Sequence, residues 1–231
     1  MVGECGNELI FELLCLSLCF IQEEETEEKV KDAFLKLCND NGKANRYITG
    51  LYSAKEELKS DLSFFLDSDP AVISEEEVIM AYPGYKAIAF HRIAYILKEM
   101  GLGLEARIIS EKAHSETGID IHPGAKISSP FFIDHGTGTV IGETAVIGKN
   151  VKIYQGVTLG ALSLSNARSL KGKKRHPTIG NNVTIYSGAS ILGDIKIGDN
   201  VTIGSNVFLT EDVPSDMRVI IPKPELILKK K

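Results

Sequence analysis

Five histidines carry the side chains of this sequence best suited to moving protons near neutral pH: His91, His114, His122, His135 and His176. Their contexts differ. His91 and His114 lie in stretches of helical periodicity, where packing or surface roles are expected. His122 precedes Pro123 just after that periodicity ends, and closing off the element that follows is its expected job. His135 and His176 each stand beside a charge, as Asp134-His135 and Arg175-His176. An imidazole is a natural general base for a hydroxyl nucleophile. It needs an anion to fix its tautomer and to stabilise its cation. Asp120, fifteen residues before His135, can serve if the chain coils back under it. Arg175 suits a substrate carboxylate, which a guanidinium grips through two parallel bonds. Asp69, Asp134 and Glu143 suit an ammonium. By spacing alone, the same residues read more simply as solvated turn charges.

Two kinds of periodicity must position these groups. Up to about residue 118 the pattern is helical. Val30, Phe34, Leu37 and Cys38 recur at three- and four-residue steps within 27–38, and Leu51, Leu58, Leu62, Phe65 and Leu66 do so within 51–66. Asp69-Pro70 reads as a helix entry, with Asp as cap and Pro as first helical residue. Pro83-Gly84 interrupts the chain. A helix is expected over 85–100, stopped by Gly101 and Gly103, and another over 104–114.

After Gly118 aliphatic residues fall six apart: Ile121, Ile127 and Ile133; Ile141, Ile147, Ile153 and Leu159; Ile179, Ile185, Ile191, Ile197, Ile203 and Leu209. Most are followed four residues later by a small or branched apolar residue, such as Ala125, Val151 or Val201. A six-residue step does not return to one face of a helix. Short strands joined by Gly- and Asn-rich turns accommodate it, each hexad forming one side of a coil that stacks on its neighbours. The period breaks twice. Ile133 to Ile141 is two residues too long, and Leu159 to Ile179 leaves about fourteen residues to loop out. His135 and His176 stand at these two breaks.

The domains are therefore expected at 1–118 (helical), 119–212 (coiled strands) and 213–231 (tail). The length of 231 residues allows a sizeable core. The net charge of −5 gives no general attraction to nucleic acid or anionic membrane. The apolar run 9–21 is interrupted by Glu12 and lacks the flanks of a signal peptide, so a buried helix is expected. Cys5, Cys15, Cys19 and Cys38 form no Cys-x-x-Cys pair. Neither a disulfide framework nor a zinc site is expected, and a reducing cytoplasm fits. Cys15 and Cys19 share one helical face, as two buried thiols would.

Several stretches resemble the serine acetyltransferases. They are 120–127 (Asp-Ile-His-Pro-Gly-Ala-Lys-Ile), 132–145 with its Asp-His-Gly-Thr-Gly and Gly-Glu-Thr-Ala, 155–160 (Gln-Gly-Val-Thr-Leu-Gly) and 175–180 (Arg-His-Pro-Thr-Ile-Gly). Upstream, Asp69-Pro70-Ala71-Val72 and His91-Arg92-Ile93 stand at the family's separation. The resemblance covers about residues 60–212. It implies a helical N-terminal half on a left-handed parallel β-helix of hexapeptide repeats, and trimers, often paired as hexamers, with active sites between neighbouring β-helices. It implies transfer of acetyl from acetyl-CoA to the hydroxyl of L-serine, without metal, as the first step of cysteine biosynthesis. His135 is then the base, Asp120 orients it, and His176 joins them in the site. Asp69, Pro70, Asp134, Glu143 and Arg175 surround the amino acid. The acetyl-CoA arm runs near Gly160, Ala161, Ser187 and Ser205. The serine oxygen attacks the thioester directly, and no cysteine is placed to act as nucleophile.

The chain departs from the family in three places. Gly160-Ala161-Leu162 replaces the usual two glycines and threonine. The loop 163–174 is longer and more basic, so Lys171, Lys173, Lys174 and Arg175 either attract the CoA phosphates or keep the loop in water. The ending Leu228-Lys229-Lys230-Lys231 lacks the terminal isoleucine with which some relatives dock into cysteine synthase, so that complex is not expected. Three other readings compete. A sugar acetyltransferase would share the repeats but not the long helical half. A zinc enzyme of the γ-carbonic anhydrase kind needs three convergent histidines. A passive scaffold would not require charged histidine pairs at both breaks.

Overall fold

The computed structural model describes residues 4–22, 26–163, 172–223, 227 and 229. Most of the predicted basic loop, Lys171 included, lies outside the described residues, as do Leu228, Lys230, Lys231 and the side chain of Cys5. Six helices come first: α1 (Glu4–Ile21), α2 (Glu27–Leu37), α3 (Asn41–Ser68), α4 (Glu75–Ala81), α5 (Pro83–Glu99) and α6 (Gly103–Thr117). Side-chain caps start three of them, with Thr26, Asp40 and Ser74 each accepting a backbone N–H of the first turn. Gly118, at φ 71°, ends α6 in the left-handed conformation where the period of the sequence changes. One apolar core joins α1, α2, α3, α5 and α6 around Leu13, Phe34, Tyr47, Leu51, Ile93, Leu97 and Ile109.

Two expectations are corrected here. Asp69-Pro70 is not a helix entry. Asp69 closes α3, its N–H bonding to Phe65 O, and its carboxylate accepts from Ala71 N at 2.8 Å. Helix α4 begins five residues further on, because Ser74 offers the cap that competes for the start. Cys15 and Cys19 do share a face of α1, but it is not buried. Cys15 is exposed and Cys19 half-exposed, because the inward face of α1 is occupied by Ile10, Leu13, Leu14 and Ser17.

The remaining chain is a three-sided parallel coil. Its strands are β1 (Asp120–Ile121), β2 (Lys126–Ile127), β3 (Phe131–Ile133), β4 (Val140–Ile141), β5 (Val146–Ile147), β6 (Val151–Ile153) and β7 (Thr158–Gly160), then β8 (Thr178–Ile179), β9 (Thr184–Ile185), β10 (Ser190–Leu192), β11 (Lys196–Ile197), β12 (Thr202–Ile203), β13 (Phe208–Leu209) and β14 (Arg218–Val219). They form three sheets, in the orders β1-β4-β7-β10-β13, β11-β8-β5-β2 and β14-β12-β9-β6-β3. We call these the first, second and third sheets. Regular coils pair residues 18 apart, as Val140↔Thr158 and Ser190↔Phe208. Across the first break the step is 20 (Asp120↔Val140), and across the second it is 32 (Thr158↔Ser190). The register therefore absorbs both insertions at corners and returns every aliphatic to its column. Ile141, Ile147, Ile153, Leu159, Ile185, Ile191 and Ile203 are fully buried inside the coil.

The corners select their residues for conformation. Asn150, Asn182 and Asn200 have φ of 57°, 56° and 59°. They stack one coil above another and bond side chain to side chain, Asn150 Nδ2 to Asn182 Oδ1 at 2.9 Å and Asn182 Nδ2 to Asn200 Oδ1 at 3.0 Å. Asparagine tolerates the left-handed region and satisfies its neighbour's amide as well.

A buried ion pair ties the helices to the first coil. Arg92 on α5 donates from Nε to Asp61 Oδ2 at 2.8 Å, and Nη2 lies 2.7 Å from the same oxygen. Both side chains are inaccessible to solvent, and removing one partner of such a pair typically costs about 3–5 kcal/mol.

Asn182→Ala should lower stability by about 1–2 kcal/mol, since a left-handed alanine is strained and two ladder bonds are lost. Asn182→Gly should lose less, because only the bonds go. Urea unfolding at one protein concentration checks this, and equal losses would mean that the backbone conformation carries no cost here.

Candidate active site

The residues singled out from the sequence gather at two different corners of the coil. The first corner lies between the third and first sheets, where Ile133 leads into the two-residue insertion. His135 sits at φ 55°, with its side chain 70% exposed. Asp134 beside it is mostly covered, and its Oδ1 lies 3.5 Å from His135 Nδ1. Gly136 follows at φ 78°, where a Cβ would fall 2.4 Å from Ile119 Cδ1, so only glycine lets the loop close over the coil. Asp69 approaches from the end of α3 and accepts a bond from Tyr82 Oη at 2.9 Å. Partial burial and the carboxylates of Asp69, Glu77 and Asp134 push the Tyr82 phenol up to about 12. Tyr82 is thus a fixed donor amid acidic groups. Tyr154 and Tyr186 stack at 5.2 Å on successive coils above Asp134, and Ser187 Oγ donates to Ser205 Oγ at 3.3 Å along the same edge.

The second corner lies between the first and second sheets. Arg175 Nη2 donates to Glu143 Oε2 in a close ion pair, which holds Glu143 below the usual carboxylate range. Thr144 is the hub. Its Oγ1 accepts from Arg175 N at 3.0 Å and His176 N at 3.1 Å, and it lies 2.8 Å from His176 Nδ1. Thr144 N donates to His176 Nδ1 at 3.1 Å. A backbone N–H can only donate, so Nδ1 is unprotonated and the neutral ring carries its proton on Nε2. Burial, and then the charges of Arg175 and Lys174, lower the His176 pKa to about 4. Lys174 Nζ donates to Thr144 O at 2.6 Å and to the carbonyls of His176 and Pro177, pinning the end of the long loop. The ring lies on Gly142, where a Cβ would fall 2.1 Å from His176 Cδ2. His122 shares this corner, with Nδ1 accepting from Gly124 N at 3.0 Å. Gly160 and Ala161 follow on the next coil, Gly160 O accepting from Gly193 N at 3.0 Å.

The predicted set is therefore divided. Asp69, Asp134, His135, Ser187 and Ser205 belong to one corner, and Glu143, Arg175, His176, Gly160 and Ala161 to the other. Pro70 is exposed in the turn after Asp69. Asp120 stands opposite Val140 in the first sheet and faces outward with His122, whose charged form it favours. Within one chain Asp120 makes no ion pair with His135, whose partner among the described residues is Asp134. Thr144, Tyr82 and Gly142 were not singled out as site residues, and Lys174, weighed as a contact for the CoA phosphates, instead bonds backbone carbonyls of its own corner. Thr144 and Gly142 stood inside a quoted motif; nothing local marked Tyr82, because its partner Asp69 is thirteen residues away. Among the described residues no group of three or more His, Cys, Asp or Glu is placed to hold a metal ion.

A family model described as bacterial transferase hexapeptide (six repeats) matches residues 176–211. The serine acetyltransferase isoform 3 of Entamoeba histolytica, solved with cysteine, aligns at a TM-score of 0.80 and 37% identity, over 96% of this chain and 84% of that one. The chain belongs to the serine acetyltransferase family. A second solved member, from Neisseria gonorrhoeae and in complex with serine, aligns at 0.72 and 31% identity, over 96% of this chain and 84% of that one. The plasmid serine acetyltransferase of Synechococcus elongatus is 52% identical over 172 residues, 73% of this chain. This chain spans 54% of that relative, about half its length.

The buried imidazoles make stability depend on pH. His176 and His91 have pKa values lowered to about 4 and about 3 from an ordinary 6.5, chiefly by burial. Below pH 6.5 the unfolded chain binds protons that the folded chain does not, so stability falls as pH drops from 6.5 toward 4. Urea midpoints measured between pH 7 and 4.5 should show this fall. It should be shallower in His176→Gln, and an unchanged slope would mean that His176 titrates normally. In ¹⁵N spectra the His176 ring should be the neutral Nε2–H form at pH 6.

Proposed function

We propose that the protein transfers an acetyl group from acetyl-CoA to the hydroxyl of L-serine, at sites each assembled from two chains. The observation that carries this is the division of the family's site residues between two corners of one prism. An exposed imidazole with an adjacent carboxylate faces solvent on one edge, and an ion-paired guanidinium with a locked neutral imidazole lies on another. A trimer of parallel prisms brings the first edge of one chain against the second edge of the next.

In this reading Asp69 and Asp134 hold the serine ammonium, and Arg175, already oriented by Glu143, takes the carboxylate. His135 removes the hydroxyl proton as the serine oxygen attacks the thioester carbon. The carbon–sulfur bond then breaks, and His135 returns the proton to the departing thiolate. Asp120 sits on the outer face of the first sheet, where an adjoining chain can use it to steady the imidazolium. His176 presents Nε2–H as a donor, suited to holding substrate or developing negative charge rather than to accepting a proton. Ser187, Ser205 and the corner glycines form a strip of small groups beside the stacked Tyr154 and Tyr186 on the edge above His135, which suits an extended pantetheine arm, with Gly160 and Ala161 contributing from the neighbour. Free thiols at Cys15 and Cys38 fit a reducing cytoplasm. Among the described residues no helix is long and apolar enough to cross a membrane. Pairing of two trimers through the helical halves is also proposed.

Thiol release from acetyl-CoA with L-serine, compared with sugars and other amino acids, tests the activity. Turnover of a sugar in place of serine would overturn it. His135→Ala should lower kcat by about 10²- to 10⁴-fold, whereas His176→Ala should mainly raise the KM for serine. Gly142→Ala, which drives a methyl into the His176 ring, should resemble His176→Ala while the protein stays folded.

The shared site has its own test. His135→Ala and Arg175→Ala proteins, each inactive, are unfolded together in equal amounts and refolded. Random mixed trimers with sites between chains should regain about one quarter of the wild-type activity. No recovery, with mixed trimers confirmed by tagged chains, would place each site within one chain.

A further inference from the structure

The ion pair between Asp61 and Arg92 lies away from both corners, yet every element that carries the amino-acid side of the first corner starts from it. Asp61 Oδ1 accepts from Phe131 N at 2.8 Å and from Ser129 Oγ at 2.9 Å. Arg92 Nη1 donates to Ile127 O at 3.2 Å and to Glu57 Oε2 at 2.6 Å. One carboxylate and one guanidinium thus hold α3, α5 and the entry to β3 at a single point. From there α3 runs eight residues to Asp69, a rise of about 12 Å. β3 runs three residues from Phe131 to Asp134, about 10 Å. α5 runs back ten residues to its cap Tyr82, about 15 Å. The three ends meet again where Tyr82 bonds Asp69 and the acidic field of Asp134 reaches both tyrosines, Tyr82 and Tyr154.

The far side of this frame is stiff. Phe65 packs against Phe132 at 4.7 Å, Tyr85 at 5.7 Å and Tyr82 at 6.1 Å, filling the space between the three elements. Gly84 lies so close to β3 that a Cβ would fall 2.0 Å from Ile133 O. With the interior filled, a shift at the ion pair has to move the ends.

We infer that Asp61 and Arg92 are positioning residues that set the separation of Asp69 from Asp134 and His135, and so tune the capture of the amino acid rather than of acetyl-CoA. The inference rests on the proposed serine acetyltransferase activity. It says nothing of the groove along Ser187 and Ser205, which belongs to later coils that neither residue touches.

The test compares wild type with Asp61→Asn, Arg92→Lys and Ser129→Ala. Asp61→Asn keeps an acceptor for Phe131 N but loses the charge. Ser129→Ala removes one bond to Asp61 and leaves the ion pair intact, so it remains readable if the others fail to fold. Displacement of a binding group by about 1 Å can cost up to about 100-fold. Asp61→Asn and Arg92→Lys should therefore lower kcat/KM for serine by about 10- to 100-fold, with KM for serine raised and KM for acetyl-CoA unchanged. Ser129→Ala should shift KM for serine in the same direction by about 2- to 5-fold. A purely structural role would lower the active fraction and leave both KM values alone, and that result would overturn the inference, as would equal rises in both. Amide exchange gives a readout independent of turnover. Protection should fall across 134–138 and 69–72 and stay unchanged in the coils after residue 178. Unchanged protection across 134–138 in every variant would overturn the inference too. A wild-type protein that does not turn over serine would refute the activity instead, and the exchange data would still decide the frame.

Discussion

The interior of the coil takes one large aliphatic side chain per side per turn, with a smaller apolar residue such as Ala145 or Val151 closing the following corner, and the rest of the molecule follows from that limit. Each hexad must return an isoleucine, leucine or valine to its column, or the stack loses both its packing and its backbone ladder. A flat side therefore has little freedom to vary, since its inward positions are committed to packing and its backbone to parallel pairing. Corners are different. They need a left-handed residue or a tight turn, but they can be lengthened without disturbing the columns above and below. The steps of 20 and 32 residues between ladder partners show this directly, because the register resumes after each insertion. Chemistry grafted on such a frame collects at corners.

That constraint also explains what could be read from the residues in advance. The six-residue period is a one-dimensional pattern, and so are its interruptions; the coil, its two insertions and the histidines in them were all visible. The helices expected over 27–38 and 85–100 were legible from apolar spacing; the second in fact starts at Pro83, which serves as its first residue rather than as a break before it. Asp69-Pro70 misled because the same dipeptide closes one helix as readily as it opens another, and with Asp69 ending α3 the start of α4 fell to Ser74, an equally good cap five residues on. Cys15 and Cys19 misled because a shared helical face does not say which face is inward. Tyr82 and the Asp61–Arg92 pair were invisible for a different reason. Their partners lie 13 and 31 residues away, and contact across such distances depends on how α3 and α5 pack, not on local pattern.

The two corners are built on opposite electrostatic principles, which fits the different tasks proposed for them. His176 is buried, and Thr144 N fixes its tautomer. With Arg175 and Lys174 beside it, taking up a proton is unfavourable, and the ring serves as a rigid neutral donor. His135 is open to water and beside Asp134. An imidazole that must accept a proton and release it again needs access and a neighbouring anion more than rigidity. Exchanging the environments would disable both, since a proton on the ring at His176 would be repelled by its surroundings and a fixed donor at His135 would have nothing to hold it still.

Division of the site between two edges also changes what the helical half is for. If each site closes only when two prisms meet, the chain must present its two edges at a fixed mutual distance, and the rigid coil does this for His135 and His176. Asp69 does not belong to the coil. It arrives at the end of a 28-residue helix, and any error in the docking of that helix is carried to its tip. A purely apolar contact between α3 and the first coil would leave α3 free to slide or rotate by a fraction of a turn, because apolar packing has little directional preference. Charged hydrogen bonds at 2.7–2.8 Å fix both register and rotation. Burying an ion pair seldom adds much net stability over a well-packed apolar substitute. Its place at the junction of α3, α5 and β3 is therefore better explained by alignment than by cohesion, and what it aligns is Asp69, an acidic group that the coil does not supply.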